Sequence, residues 1–240
     1  MPDIIAATTD GDIYVQISPY SSARSATSGT VRNTTTTTVN AGTVKFSSRG
    51  GSPPVRIARL FLDFDTSGIT VTPSSANLKF TINNQPLGTT TDSNLIAVKS
   101  NAFTGASDTL QSSDYDNIDI STPYTAEMDH ESAADGTTIT TALNSDALSD
   151  MAANDNLRLA LISHAHDFTN SEPPDILSRE LTIRSADYST VASRPTISYV
   201  AGVAASGPAN LTSLNGIAKA SITSFNTITL ANITSINTIA

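Results

Sequence analysis

Apolar and polar residues alternate along several short segments of this chain. The clearest segment is 56–64, in which Leu60, Leu62 and Phe64 occupy every second position. A period of two is that of a β-strand with one buried face, because successive side chains of a strand point to opposite sides of the sheet. We therefore predict a half-buried strand here. The same reasoning predicts strands at 12–17, 77–82, 94–99, 137–141, 157–162, 180–184 and 195–200.

The segments between these strands have the composition of turns and loops. The sequence GGSPP at 50–54 interrupts any regular element, because Gly and Pro both disfavour its continuation. The Thr-rich segment 19–54 is predicted to hold one or two exposed strands, since consecutive threonines favour extended structure. Residues 101–136 are polar and are predicted to be irregular.

One short helix is also predicted. Residues 144–151 fit one or two helical turns whose first turn is capped by the side chain of Asn144 or Ser145. Many short strands separated by turns of this kind indicate an all-β fold. We predict a jelly-roll or β-sandwich domain over residues 1–200.

The C-terminal residues follow a different pattern, which repeats every eleven residues. A linker of small residues at 201–209 leads into this repeat tail, at 210–240. The units begin at Asn210, Ser221 and Asn232, and each places apolar side chains at three equivalent positions. These positions form three rows: Leu211, Ile222 and Ile233; Leu214, Phe225 and Ile236; and Ile217, Ile228 and Ile239.

The composition of the tail decides between two interpretations of its period. Eleven residues is also the period of a right-handed helical supercoil, but the units consist mainly of Thr, Ser, Asn and Ile, which are weaker helix formers than Ala or Leu. Asn215-Gly216 favours a tight turn between short strands, so we predict a β-rich tail. Such units bury their apolar faces by stacking on neighbours. We therefore predict that the three rows form an assembly interface, with sister chains around a shared axis or with another protein.

Composition argues against several classes of function. The net charge of −9 and the pI near 4.6 make a basic nucleic-acid-binding surface unexpected. No window approaches the roughly twenty apolar residues of a membrane-spanning helix, so no membrane partner is expected. The N-terminus lacks the basic and apolar parts of a signal peptide, which predicts synthesis in a bacterial cytoplasm. The absence of Cys excludes disulfides and thiolate metal sites.

Two segments carry weak candidate metal ligands. His164 and His166 would share one face of a strand and could then bind one ion, although a solvated loop is the alternative. Asp114 and Asp116 belong to the sequence DYDNID, which resembles a calcium loop but lacks its sixth-position Gly and twelfth-position Glu. We expect no cofactor, with Ca²⁺ in this acidic region as the open alternative.

No sequence pattern points to catalysis. The chain contains no G-x-S-x-G, no H-E-x-x-H and no phosphate-binding Gly loop. A glycosidase needs only two carboxylates, but aromatic platforms for the sugar usually accompany them, and this chain has no Trp and only six Tyr. We therefore expect a protein that is not an enzyme, with no catalytic residues. Four arginines are expected to pair with carboxylates at sheet edges: Arg56, Arg59, Arg179 and Arg194.

Two groups of motifs resemble known families. The sequences RLFLDFDTSGI at 59–69 and SANLKF at 75–80 resemble the signature of a β-sandwich module of bacterial surface and secreted proteins. SRE at 178–180 and RPTISY at 194–199 are similar to the closing strands of that family. The resemblance implies a sandwich or jelly-roll fold, and some members of the family bind polysaccharide. Fold alone does not supply function.

A second resemblance is to structural proteins of tailed bacteriophages. It is carried by STPYTAE at 121–127, ALNSDALSDM at 142–151 and ISHAHDFTNSEP at 162–173. The repeats of the tail resemble those of marine phage virion proteins. Together the two resemblances cover most of residues 56–240 and imply a virion structural protein.

The phage resemblance carries further expectations. We expect display on the particle surface and a homotrimer, because three tails can enclose an axial apolar core under cyclic symmetry. Other partners would be capsid or tail proteins. A domain that begins close to Met1, without a separate anchor, favours a capsid decoration or cement protein. The alternative is a tail-fibre or spike module that recognises cell-surface glycans.

Overall fold

The computed structural model describes residues 2–32, 34–84, 92–106, 108–131, 133–174, 176 and 178–203, together with the backbone of four two-residue strands in the tail. Its strands before the tail are β1 (Asp3–Ile5), β2 (Gly11–Ile17), β3 (Thr30–Arg32), β4 (Thr38–Lys45), β5 (Val55–Asp65), β6 (Ser75–Asn84), β7 (Leu95–Ser100), β8 (Ile118–Pro123), β9 (Thr138–Ala142), β10 (Asn156–Ser163), β11 (Ser178–Arg184) and β12 (Thr196–Val200). Its helical segments are α1 (Tyr20–Arg24), α2 (Ser145–Ala153), the 3₁₀ turns Ser112–Asp116 and Val191–Ser193, and a π-helical turn, His164–Phe168.

Every described strand pairing is antiparallel. One sheet has the order β1-β12-β6-β9. A larger sheet runs β11-β4-β5-β10-β7-β8, with β2 on β5 and β3 on β2. Strand β6 belongs to both, because Ile82 and Asn84 at its end pair with β11. This architecture confirms the predicted all-β sandwich.

The first hydrophobic core lies between the two sheets. Leu60, Leu62 and Phe64 of β5 are fully buried in it. Leu78 and Phe80 of β6 meet them from the opposite sheet. Burial of side chains of this size stabilises each by roughly 1.5–3 kcal/mol, so this layer holds the two sheets together.

A second hydrophobic core covers the other face of the larger sheet. Ile57 and Phe61 of β5 are buried there, against Tyr20 of α1 and Phe103 and Tyr115 of the loop that precedes β8. Strand β5 is therefore buried on both faces. The prediction of a half-buried strand was wrong on this point, because α1 and the 101–116 loop cover the face that the alternation assigns to solvent.

Most predicted elements are found within two or three residues of their expected bounds. The Thr-rich segment holds two strands, β3 and β4, as predicted, but it also contains the helix α1. The expectation that these strands are exposed was wrong for β4, which lies between β11 and β5 and is mostly buried. The prediction of an irregular 101–136 segment was partly wrong, since β8 lies within it. In the described part of the chain, no helix has the length and apolar character needed to cross a membrane.

Eight residues of the repeat tail are described, by their backbone only. Ser213–Leu214 pairs with Ile217–Ala218, and Ser224–Phe225 pairs with Ile228–Thr229, both antiparallel. The two pairs are eleven residues apart, which is the period of the sequence repeat.

Candidate functional site

A polar cleft of about 350 Å³ opens where β7 ends, β10 begins and α2 passes over them. Its lining combines charged, amide and hydroxyl side chains with a single aliphatic one. The lining residues are Lys99, Ser100, Asn101, Tyr124, Asp150, Asn154, Asn156, Leu157 and Arg158.

The carboxylate of Asp150 is the centre of one half of the cleft. Lys99 Nζ lies 2.8 Å from Asp150 Oδ2, and the hydroxyl of Tyr124 donates to the same oxygen. Partial burial by itself would raise the pKa of Asp150, but the hydrogen bonds from Lys99 and Tyr124 outweigh it and lower the pKa. Burial and the neighbouring carboxylate raise the pKa of Tyr124, so the phenol stays protonated. Asp150 therefore carries a full negative charge that Lys99 neutralises.

Arg158 organises the other half of the cleft. Its Nη2 lies 2.7 Å from Asp108 Oδ1, and its Nη1 donates to the carbonyl oxygen of Ala102 over 3.2 Å. Arg158 Nε lies 3.6 Å from Asp63 Oδ2, while Asn156 Nδ2 donates to Asp63 Oδ1 over 2.8 Å. Burial raises the pKa of Asp63 in spite of these contacts. The charge of Arg158 is therefore engaged by two carboxylates of the chain itself.

The groups of the cleft that remain available to a ligand are side-chain amides and the unused N–H groups of one lysine. Among the described contacts, the amide of Asn101 and the side-chain oxygens of Asn154 and Asn156 have no hydrogen-bond partner. Lys99 holds one oxygen and has further N–H groups. Amide groups and a lysine at the rim of an open cleft suit a neutral ligand with several hydroxyl groups better than an ion.

Sequence reasoning did not find this cleft. Lys99, Tyr124 and Asp150 come from three separate segments, and the fold brings them together through β7, the 123–128 segment and α2. The available signals were the predicted strand at 94–99 and the predicted helix at 144–151. Neither pattern predicts that the end of the strand lies beside the helix.

The predicted metal ligands His164 and His166 lie on a π-helical turn and not on a strand. Side chains two positions apart on a helical turn do not share a face, so the geometric basis of that prediction was wrong. His164 Nδ1 lies 3.2 Å from Glu127 Oε1, and its ring stacks on Phe168. His166 is buried, and its Nδ1 lies 2.8 Å from the carbonyl oxygen of Ser171. Within the described residues, no three His, Asp or Glu side chains converge on one point.

The solvated-loop interpretation of this segment was also wrong. Asp167 is fully buried and forms a two-pronged ion pair with Arg59, with distances of 2.7 Å to Nε and 2.9 Å to Nη2. Arg59 Nη1 donates to the carbonyl oxygen of Tyr115, and its guanidinium lies 4.1 Å from the centre of the Tyr115 ring. The hydroxyl of Tyr20 donates to the carbonyl oxygen of His166. These bonds tie the π-helical turn to β5, α1 and the 101–116 loop.

The other arginines differ from expectation in their partners. Arg56 pairs with Glu180 at 2.8 Å, but Glu180 belongs to β11, which has neighbours on both sides. Arg194 donates to the carbonyl oxygen of Tyr188 and not to a carboxylate. Arg179 is buried. The pKa of His166 is lowered mainly by the burial of its own ring, and the positive charge of Arg179 lowers it further. The predicted sheet-edge pairs are therefore wrong for Arg56, Arg59 and Arg194.

Asp114 and Asp116 have unlike surroundings. Asp116 is exposed, whereas Asp114 is fully buried. Asp114 accepts hydrogen bonds from the backbone N–H groups of Phe103, Thr104 and Gln111, and from the side chains of Thr104 and Asn117. These bonds lower its pKa against the opposing effect of burial. Five donors occupy the lone pairs that a calcium ion would need, so Asp114 serves to fold its own loop.

The side chains of the predicted assembly rows lie outside the described part of the structure. The backbone of Leu214, Ile217, Phe225 and Ile228 is described. Whether the rows form an interface stays a prediction.

The sequence was compared with known proteins as well. It matches no protein-family model, and no curated protein matches it.

Proposed function

We propose that the protein is a non-enzymatic structural component of a tailed-phage particle. Its C-terminal repeats hold copies of it together, and the proposed oligomer is a trimer. The observation that carries this proposal is the repeat itself. Nine apolar side chains recur in three rows, and Lys219 is the only charged residue of 210–240. Such a surface is stable in water only when another surface covers it.

The sandwich domain supports the proposal because it has cores of its own. Both hydrophobic clusters are built from described residues between Ala6 and Ile197. A domain of this kind is suited to display on a surface, with the tail as its attachment. Many such copies together bind far more firmly than one, because each further contact forms at a high local concentration.

The experiment compares two variants of the full chain. Phe225→Asp with Ile228→Asp places charge in two rows, and Ser221→Asp with Ser224→Asp places the same charge at polar positions of the same repeat. At low protein concentration, sedimentation equilibrium should give three times the chain mass of 25.0 kDa for the wild type and for the control, and a smaller species for the row variant. Circular dichroism checks that the sandwich is intact. A row variant that assembles like the wild type overturns the proposal.

The place of the protein on the particle is a separate question. We propose a position on the head, as a decoration protein, with a position on a tail fibre or spike as the alternative. A low-resolution density map of particles that carry an antibody fragment against the domain tests this. Density on the tail fibres instead of the head would contradict it.

The polar cleft favours a second candidate function, recognition of a cell-surface glycan. Its free amide groups and its lysine match the hydroxyl groups of a sugar. A glycan array with the wild type, with Asn154→Ala and with the distant control Lys79→Ala tests it. Binding that Asn154→Ala removes and Lys79→Ala retains would support this candidate, and an array without binding would remove it.

A further inference from the structure

The strand β9 forms a free edge of the smaller sheet. Within the described residues it pairs only with β6, in the register that places Ile139 opposite Phe80. Thr138, Thr140 and Ala142 are exposed, whereas Ile139 is half-buried against the first hydrophobic core. No other described strand pairs with the second side of β9.

The hydrogen-bonding groups on the free side can be assigned from the register. The N–H of Leu143 donates to the carbonyl oxygen of Ala76, and the backbone groups of an antiparallel strand turn to alternate sides. Ile139 and Thr141 therefore direct their N–H and C=O groups to β6. Thr138, Thr140 and Ala142 direct theirs away from it.

This edge lacks the features that usually protect an edge strand. Natural sheets protect their edges with charged side chains and Pro. The other terminal strands have them: Asp3 in β1, Arg32 in β3, and Asp119 with Pro123 in β8. The sequence of β9 is Thr-Ile-Thr-Thr-Ala, which is uncharged and mostly β-branched.

We infer that β9 is a docking edge for β9 of a second copy of this chain. An antiparallel pair centred on Thr140 joins Thr140 to its counterpart and Thr138 to Ala142 of the other copy. Because these three residues carry the free groups, the pair forms six backbone hydrogen bonds. Ile139 then lies opposite Thr141 of the other copy, and the two small sheets become one continuous sheet.

The chemistry of the strand favours a second copy over an unrelated partner. A twofold axis brings each side chain opposite itself or its symmetry-related neighbour, so a charge in β9 would meet a like charge. No such charge exists, and Thr opposite Thr is a favourable cross-strand pair. The contact needs no part of the repeat tail, so it goes beyond the assembly proposed above and can join tail-linked trimers to one another.

The experiment separates this contact from the tail. It uses the full chain with the substitutions Phe225→Asp and Ile228→Asp, to which Thr140→Lys is added. Thr140 is exposed and directs no backbone group to β6, so this change leaves the fold intact. The matched control is Thr30→Lys, at an exposed position of the edge strand β3.

Sedimentation over a range of concentrations should show a monomer–dimer equilibrium for the background and for the Thr30→Lys control. Thr140→Lys should raise the dissociation constant at least roughly tenfold. Hydrogen exchange at the amides of Thr140 and Ala142 should slow as the concentration of the background protein rises. A background protein that stays monomeric, or a dimer that survives Thr140→Lys, overturns the inference. Protection of these amides at every concentration also overturns it, since another part of the same chain would then cover the edge.

Discussion

Asp10 is a carboxyl whose environment differs strongly from that of a free side chain. Its carboxyl is fully buried; Oδ2 accepts the N–H of Ala186 over 2.8 Å, while Oδ1 has no hydrogen-bond partner in the described part of the chain. Burial raises its pKa from 3.8 to about 7; the hydrogen bond from Ala186 opposes this rise, and the negative charge of Asp187 adds to it. Near pH 5 the folded protein therefore holds a proton that the unfolded chain has released.

This difference predicts how stability depends on pH. Because the native state binds the extra proton between about pH 4 and 7, the contribution of Asp10 to the free energy of unfolding falls as the pH rises through that range. Asp10→Asn should remove this fall and exceed the wild type at pH 8 by on the order of 1–4 kcal/mol. Urea denaturation over a series of pH values measures it, with the exposed Asp3→Asn as the control. Parallel pH profiles for Asp10→Asn and the wild type would contradict the assignment.

The buried pair of Arg59 and Asp167 gives a second prediction for single residues. Asp167→Asn keeps the shape of the side chain but leaves the guanidinium of Arg59 without a counter-ion, which should cost roughly 3–5 kcal/mol of unfolding free energy. Arg59→Met with Asp167→Leu removes both charges and should cost less than the sum of the single changes. Denaturant titration of the wild type, of Asp167→Asn, of the single variants Arg59→Met and Asp167→Leu, and of their double variant measures both effects.

An exposed ion pair provides the comparison for this prediction. Arg158 and Asp108 are 2.7 Å apart, but the side chain of Asp108 is 65% exposed. Asp108→Asn should therefore cost less than about 1 kcal/mol. A similarly small loss for Asp167→Asn would mean that water reaches Arg59.

At the scale of elements, α2 depends on the residue that begins it. The side-chain oxygen of Asn144 accepts the N–H groups of Asp146 and Ala147, each over 3.1 Å, and its amide donates to the carbonyl oxygen of Pro123. Asn144→Ala should cost roughly 1–2 kcal/mol, because it leaves two N–H groups of the first turn without their cap. The control is Ser145→Ala at the next, exposed position. Thermal denaturation should separate the two, and equal small effects would show that Asn144 is not the cap.

The elements also show what the sequence can and cannot predict. Leu60, Leu62 and Phe64 identify β5 because a period of two is a local property of the chain. The burial of Arg59 and Asp63 on its other face depends on α1 and the 101–116 loop, which are distant in sequence. The alternation therefore assigned Arg59 and Asp63 to solvent, although the second hydrophobic core covers their face of the strand.

The candidate site was missed for a related physical reason. Asp150 and Lys99 lie 51 positions apart, and their ion pair exists only because α2 passes over the end of β7. Likewise, the sequence HAHD has the pattern of a strand with two ligands, yet the chain closes a π-helical turn there because Asp167 turns inwards to Arg59. Local patterns predicted the strands well, whereas contacts between distant segments determine which side chains meet in the cleft and at the buried ion pair.

At the scale of the whole molecule, the two proposed contacts have different symmetries. In the proposed assembly the tail would join three copies around one axis, whereas β9 would join two copies about a twofold axis. Neither contact alone would form an extended array, but the two together would link each trimer to three others. A surface layer of this kind would owe its strength to repetition, because each β9 contact is small.

This combination predicts an order of assembly states among full-length variants. Thr140→Lys alone should leave trimers, since the tail is unchanged. Phe225→Asp with Ile228→Asp should leave dimers, since the edge strand is unchanged. All three substitutions together should leave monomers, and the wild type should form larger species as its concentration rises. Light scattering coupled to size-exclusion chromatography measures each mass against the chain mass of 25.0 kDa. Trimers that persist in the triple variant would contradict the role proposed for the tail, because two of its three rows then carry charge.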